Sequence, residues 1–436
     1  MTILQLALDL ADLERALKIA EEAAPFVDWL EAGTPLIKSE GLNAVRELKR
    51  RFPRKTIVAD MKIADTGAFE VELAAKAGAD VVTVMAVVDD STIREAVKAG
   101  ERFNAKVMAD MIGVPDVPKR LCELKKLGVH YVCLHIGIDQ QMRGVSVVAA
   151  VRKFKCDMPF AVAGGVSVDT VAEVAASGAE IVIVGGAITK AAKPAEAAKA
   201  IRAALLSKKK FKLSKGKAEA ADSDSVIRKI FLQVSTPNIA DAMQRTGAMV
   251  GISPIVQGAK MAGRAVTVRT YAGDWAKAVE SIDIAKAGEV LVIEAGGAGT
   301  RDRAVWGELA THSAVQKKLA GVVIDGGIRD VDAVRRLKFP AFSRYISPNA
   351  GDPKGLGEIG CDIRCGGLVV RPGDWVVGDD NGVVVVPQEN ALEIANRAKH
   401  TLENENRVRE EIKRGSTLGK VLQIGKWEQF FTKAPK

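Results

Sequence analysis

Short apolar runs alternate with amphipathic stretches through the first 206 residues, one pair roughly every twenty-five positions. The runs ILQLAL, VDWLEA, TIVAD, DVVTVMA, KVMAD, HYVCLH, PFAVA and EIVIVG read as strands. Segments such as ADLERALKIAEEA, NAVRELKRR and SVDTVAEVAASG carry the helical spacing between them. Eight near-equal βα units in so short a span predict a closed (β/α)8 TIM barrel over residues 1–206, with an open doubly wound sheet as the competing arrangement. Beyond residue 225 the pattern changes. RAVTVRTYA, VLVIEA, GVVIDG and VVVVP are strand-like, the turns are rich in glycine, and long helices are fewer. ALEIANRAKHTLENENRVREEIKRG is then strongly helical with mixed charge. The expectation is an α/β chain: a barrel fused to a mixed α/β, swivelling-type domain over 225–436 that ends in a helical tail.

Between the two lies SKKKFKLSKGKAEAADSD (207–224), which has six lysines and too little apolar surface to fold, so it reads as a flexible linker. The whole chain is 436 residues, 48% hydrophobic, with a net charge of +9. Half the residues being apolar excludes wholesale disorder. The charge invites a nucleic-acid reading until it is located: residues 1–206 are neutral, the linker carries +3, and residues 397–436 carry ten basic against five acidic side chains. With Phe211 the linker's one aromatic, direct binding of nucleic acid is not expected. The N-terminus lacks a basic, uninterrupted apolar leader, and no run approaches the ~18 apolar residues of a membrane span. Five scattered cysteines form no disulfide framework, which agrees with a cytoplasmic protein. The pair Cys361 and Cys365 lacks the partners that would make a zinc site.

In a barrel, chemistry belongs at the C-terminal strand ends. Five of the first six strands end in a polar group that could serve: Asp9, Glu31, Asp60, Asp110 and His135. Strand alternation puts Asp60 and Lys62 on one face. Glu31 and Asp60 are hard oxygen ligands suited to Mg²⁺ (or Mn²⁺), and Lys62 would face the oxygen on which charge develops in an enediolate. His135 is the natural proton shuttle. The glycine pairs Gly164-Gly165 and Gly185-Gly186, with Ala187 after the second, follow strands seven and eight, where barrels commonly bind phosphate through backbone amides. A phosphorylated sugar is the expected substrate.

The signature Asp60-x-Lys62-x-x-Asp65 resembles the orotidine monophosphate decarboxylase superfamily, and residues 1–206 look like its 3-hexulose-6-phosphate synthase branch. The resemblance implies a barrel dimer, with Asp65 reaching into the partner's site. It also implies Mg²⁺ on Glu31 and Asp60, and Asp9 and Lys62 in the network around the substrate. The competing branch is 3-keto-L-gulonate-6-phosphate decarboxylase. Asp110 replaces that branch's Glu, Ile138 its Arg, Ala163 its Thr and Ala187 its phosphate-side Arg; all four fall on the synthase side. The implied reaction is reversible aldol addition of formaldehyde to D-ribulose 5-phosphate, with His135 and Asp110 handling protons.

In the second half, Gly307-Glu308-Leu309 opens a helix whose free amides can receive a carboxylate. The strand VVID leads to Gly326-Gly327-Ile328-Arg329-Asp330, where Arg329 could grip a carboxylate and Asp330 hold a divalent ion. From Thr236-Pro237-Asn238-Ile239-Ala240-Asp241 to Pro387 the chain resembles the regulator of ribonuclease activity A family and its relatives, the 4-hydroxy-4-methyl-2-oxoglutarate aldolases. The aldolases use a Gly-Asp-Leu turn; Glu308 stands here in place of its Asp, while Asp330 is kept. The resemblance implies trimers or larger rings, and a domain that is either aldolase-like or a protein-binding module.

Overall fold

The computed structural model describes residues 2–207, 223–296, 302–422 and 424. Nearly all of the expected linker, and Gly299 to Arg301, lie outside the described residues. The chain divides into two compact units, residues 1–217 with 406–436, and residues 218–405. The long helix Ala391–Lys413 is therefore shared, where the sequence placed the whole tail in the second domain. Its early alanines, Ala391, Ala395 and Ala398, are buried in the second unit's core. The polar stretch from Asn406 groups with the barrel, where Glu411 pairs with Arg15 and Arg414 donates to the Ala192 carbonyl.

In the first unit eight parallel strands close in sequence order: β1 (Ile3–Leu8), β2 (Trp29–Ala32), β3 (Thr56–Ile63), β4 (Val81–Met85), β5 (Lys106–Asp110), β6 (Tyr131–His135), β7 (Phe160–Ala163) and β8 (Ile181–Val184). Their sequences are nearly continuous in apolar residues because both faces are covered. Leu4, Leu6, Ile57, Val82, Val107, Val132, Val162 and Val182 belong to the core that includes the helices. The alternate set, Ala7, Val58, Val81, Met108, Cys133, Ala161 and Ile183, forms a second core of its own inside the barrel. The period of two carries that inner face up each strand to its C-terminal end, where the side chains become polar. At the opposite end Lys106 Nζ donates to Tyr131 Oη at 2.9 Å, with Trp29 edge-on to the tyrosine ring.

The second unit is built on a mixed sheet, nine-stranded among the described residues. Its central strands Met261–Thr270, Val290–Glu294, Gly321–Ile328 and Ala341–Ile346 are parallel neighbours. Trp375–Asp379 and Gly382–Val386 extend it antiparallel at one edge. The motif around Thr236 is a helix start: Ser235 caps the turn, and Asp379 accepts from both the amide and the hydroxyl of Thr236. A small hairpin, Ile363–Cys365 with Leu368–Val370, is fastened by its main chain. Glu294 accepts from the Arg364 amide at 3.0 Å and Asp325 from the Gly366 amide at 2.7 Å.

Candidate active site in the barrel and a second site beyond it

The barrel's inner face delivers Glu31, Asp60, Asp110 and His135 to one end, and the three acids are almost fully buried. Asp60 is the hub. Thr34 donates to its Oδ2 at 2.6 Å, Thr83 to its Oδ1 at 2.7 Å, and the Lys62 ammonium reaches both oxygens at 2.8 and 3.0 Å. The same ammonium lies 3.0 Å from Asp110 Oδ2, which also meets His135 Nδ1 at 2.8 Å. One lysine thus ties the strand-three acid to the strand-five acid, and that acid orients the histidine.

The route by which Lys62 arrives differs from simple alternation. The pairing of β3 with β4 is regular at Ala59 and slips before Ile63. Lys62 lies in that slip with φ 46°, a left-handed conformation unusual for a side chain of its size, and its amide is held by Thr83 Oγ1 at 3.0 Å. The bulge redirects the strand while keeping the lysine over Asp60.

Charge is crowded here. Burial, followed by the negative charges of Asp60 and Asp9, pushes the Glu31 carboxyl well above its usual range, against the opposing pull of Gln5 and Lys62. Desolvation and then Asp60 raise Asp9 also. Burial would raise Asp110, but the hydrogen bond and charge of His135, with Lys62, outweigh it and hold the group at about 2. For Lys62, Asp60 and Asp110 overcome a desolvation penalty and keep the ammonium charged. Among the described residues no three His, Cys, Asp or Glu side chains converge as a ready-made metal cage.

Asp9 stands at the rim, and a methyl group added at Gly33 would fall 2.2 Å from its Oδ1. Next to it, the same addition at Gly185 would lie 3.3 Å from Asp9 Oδ2, so the second glycine pair adjoins the acids. Gly164 has φ 97°, and a methyl there would meet the Ile136 carbonyl at 2.1 Å; only glycine fits. Gly165, Gly186 and Ala187 complete the rim, and Lys190 lies over it, its Nζ 3.9 Å from where a Gly186 side chain would begin. Lys190 was not anticipated from sequence, although its spacing four residues after Gly186 is a helical one. Asp65 is not drawn into this network within one chain: it is exposed, its Oδ1 accepting from the Thr66 amide at 2.7 Å. Gln5, Thr34 and Thr83 were also missed. For Gln5 and Thr83 the signal was a polar residue at an inward position of an otherwise apolar strand.

In the second unit Gly307, Glu308, Arg329 and Asp330 do come together. Asp330, at φ 53°, accepts from the Glu308 amide at 3.2 Å and faces Arg329 Nε at 3.3 Å, both on Oδ2. A methyl at Gly307 would crowd that oxygen at 2.6 Å. The helix Glu308–Gln316 is anchored by Thr311, which donates to the Gly307 carbonyl and accepts from Trp306 Nε1. Leu309, the third residue of the Gly307-Glu308-Leu309 turn, is 83% exposed. His312, unremarked in the sequence, stands 3.8 Å from Glu308 Oε1.

An eight-stranded closed parallel barrel with a lysine between two strand-end acids defines a class, and the chain belongs to it: residues 2–201 match the Orotidine 5'-phosphate decarboxylase / HUMPS family. Within that family it is 46% identical over 206 residues to the 3-hexulose-6-phosphate synthase of Mycobacterium gastri, spanning 46% of this chain and 99% of that one. It is 41% identical over 198 residues to the Bacillus subtilis enzyme of the same name, covering 45% and 94% of the two chains. A crystal structure of a 3-hexulose-6-phosphate synthase aligns at 46% identity with a TM-score of 0.45, over 47% of this chain and all of that one. Residues 236–385 match the Aldolase/RraA family. The RNA-processing inhibitor RraA from Thermus thermophilis aligns at 25% identity and a TM-score of 0.33, over 35% of this chain and 93% of that one.

Proposed function

We propose that the barrel catalyses the reversible aldol addition of formaldehyde to D-ribulose 5-phosphate, giving D-arabino-hex-3-ulose 6-phosphate. The observation that carries this reading is the Lys62 ammonium shared by Asp60 and Asp110, with His135 on the far side of Asp110. An ammonium fixed in a partly dry site offsets the negative charge that builds on an enediolate oxygen. Asp110, ionised at neutral pH, holds the imidazole by Nδ1, so Nε2 is the nitrogen turned to proton transfer. The Gly164–Gly165 and Gly185–Ala187 rim would receive the phosphate.

Glu31 and Asp60 suit a divalent cation such as Mg²⁺ or Mn²⁺. Mg²⁺ is usually held by one or two carboxylates, with substrate and water completing the shell, so the absence of a third converging acid is compatible with it. The crowding of Glu31 by Asp60 and Asp9 is the kind of unbalanced charge such an ion relieves. When bound, the ion would polarise the substrate's oxygens. Exposed Phe69 and Leu73, on the helix that follows Asp65, support a paired barrel in which Asp65 serves the neighbouring site. Formaldehyde-dependent consumption of ribulose 5-phosphate, measured in the wild type and in Asp60→Ala and Lys62→Ala, tests the assignment. Loss in both supports it, and surviving activity in either overturns it.

For the second unit we infer a small-molecule carboxylate site, with Arg329 and the Gly307–Glu308 turn as its grip and Asp330 as a single divalent-ion ligand. Pyruvate release from 4-carboxy-2-hydroxy acids or oxaloacetate with Mg²⁺, lost in Asp330→Ala, is the expected result. Silence on all of them would favour a protein-binding module.

A further inference from the structure

One buried group in the barrel plays no part in the chemistry above. Gln5 lies on β1, 1% exposed, level with Trp29 and Ile183 in the inner layer. The surrounding inward positions are apolar, and an amide placed among them is costly unless its atoms are paired. Gln5 is paired on one side only. Its Nε2 donates to Glu31 Oε2 at 2.5 Å, while its Oε1 has no partner among the described residues. A glutamine present merely to fill the layer would be better replaced by leucine or methionine.

We propose that Gln5 is the positioning residue for Glu31: its amide ties up Oε2 from below and turns Oε1 toward the open end of the barrel, where a divalent cation would sit. This rests on the metal reading of Glu31 and Asp60. The geometry has the form common at metal sites, a neutral hydrogen-bonding neighbour that fixes a ligand's rotamer from behind. Among the hydrogen bonds of the described residues, Glu31 has no other side-chain donor than Gln5, whereas Asp60 is held by Thr34, Thr83 and Lys62. Without Gln5 the Glu31 carboxylate is free to rotate and Asp60 is not, so the loss falls on one ligand.

The test is direct titration of the full chain with Mn²⁺ alone, followed by electron paramagnetic resonance, beside thermal melts and steady-state kinetics. Wild type, Gln5→Met, Gln5→Asn and Glu31→Gln are compared, each carrying Asp330→Ala so that the second unit's proposed ion ligand does not contribute. Outer-shell ligands typically contribute ~10–100-fold to metal affinity. Gln5→Met is expected to weaken Mn²⁺ by about that factor, with kcat at saturating Mn²⁺ largely restored. Gln5→Asn, which keeps the amide on a shorter arm, should fall between, and it carries the test if the methionine variant does not fold. Gln5→Met placed in the Glu31→Gln background should add nothing. Folded variants at position 5 that bind Mn²⁺ within about twofold of wild type overturn the proposal. A wild type that binds no Mn²⁺ overturns the metal reading beneath it, and the two failures are told apart by that first titration.

Discussion

The two candidate sites are built from the same materials, an acid and a base at the C-terminal ends of parallel strands, and differ in how much of each is hidden. In the barrel, Asp60 and Asp110 have side chains no more than 9% exposed and share one lysine through several bonds. In the second unit Arg329 and Asp330 are 40% and 39% exposed and meet through a single 3.3 Å contact. A closed barrel surrounds its strand ends with eight loops, so charges there lose water and interact strongly. An open sheet leaves its strand ends at an edge, where solvent screens the same pairing. The lesson is that equal motifs do not give equal electrostatics: the barrel's charges are dry and coupled, and those of the second unit are half exposed and screened.

The largest expected effect is at Lys62. Lys62→Met should reduce turnover of ribulose 5-phosphate with formaldehyde by ~10³-fold or more, while Arg329→Met leaves that reaction within about twofold. A comparable loss from both would erase the contrast between the sites. Next comes Asp110→Asn. Its carboxyl is depressed in the folded chain, so it adds stability that is present above its unfolded value near 4 and is lost as pH falls toward 2. Acid titration of the melting temperature should show ~2 kcal/mol less of this acid-limb loss in the variant.

Glu31 carries the opposite sign. Its carboxyl is raised, so its contribution to the stability of the metal-free barrel is fully present below the unfolded value of 4.5 and is lost as pH rises through the folded one. Glu31→Gln should flatten that fall, and Mg²⁺ at saturating concentration should oppose it in wild type by ~2–3 kcal/mol. Melts across pH with and without Mg²⁺ in chelator-treated protein decide both points. The smallest effect belongs to Gly307→Ala. The added methyl crowds Asp330 Oδ2, and the expected result is ~1 kcal/mol lower stability with the barrel reaction unchanged.

Much of the barrel was legible. All eight strands fall on the apolar runs, because strands covered on both faces leave an uninterrupted hydrophobic signature. The acids at their ends were legible as polar residues terminating such runs. The bulge at Lys62 was not: a register slip between neighbouring strands leaves no trace in one strand's pattern, and alternation gave a sound placement for an incomplete reason. Gln5 was hidden because a lone polar residue inside a strand says nothing about which partner it meets. The order of strands in the second unit was equally hidden, since crossovers are decided by packing. The tail helix was recognised but not its division, because a helix that buries alanines at one end and charges at the other has one continuous period.

The hairpin at residues 363–370 has a consequence for how this second unit can diversify. Glu294 and Asp325 hold it through the main-chain amides of Arg364 and Gly366, and every amino acid except proline offers that amide. Gly366 is fixed, since a methyl there would strike Met249 at 2.5 Å. Arg364 and Val369 face outward and are under no such constraint. The hairpin is therefore an interchangeable surface on a fixed mount: its outward residues can be rewritten, by evolution or by an engineer grafting a recognition sequence, without disturbing the sheet that carries it.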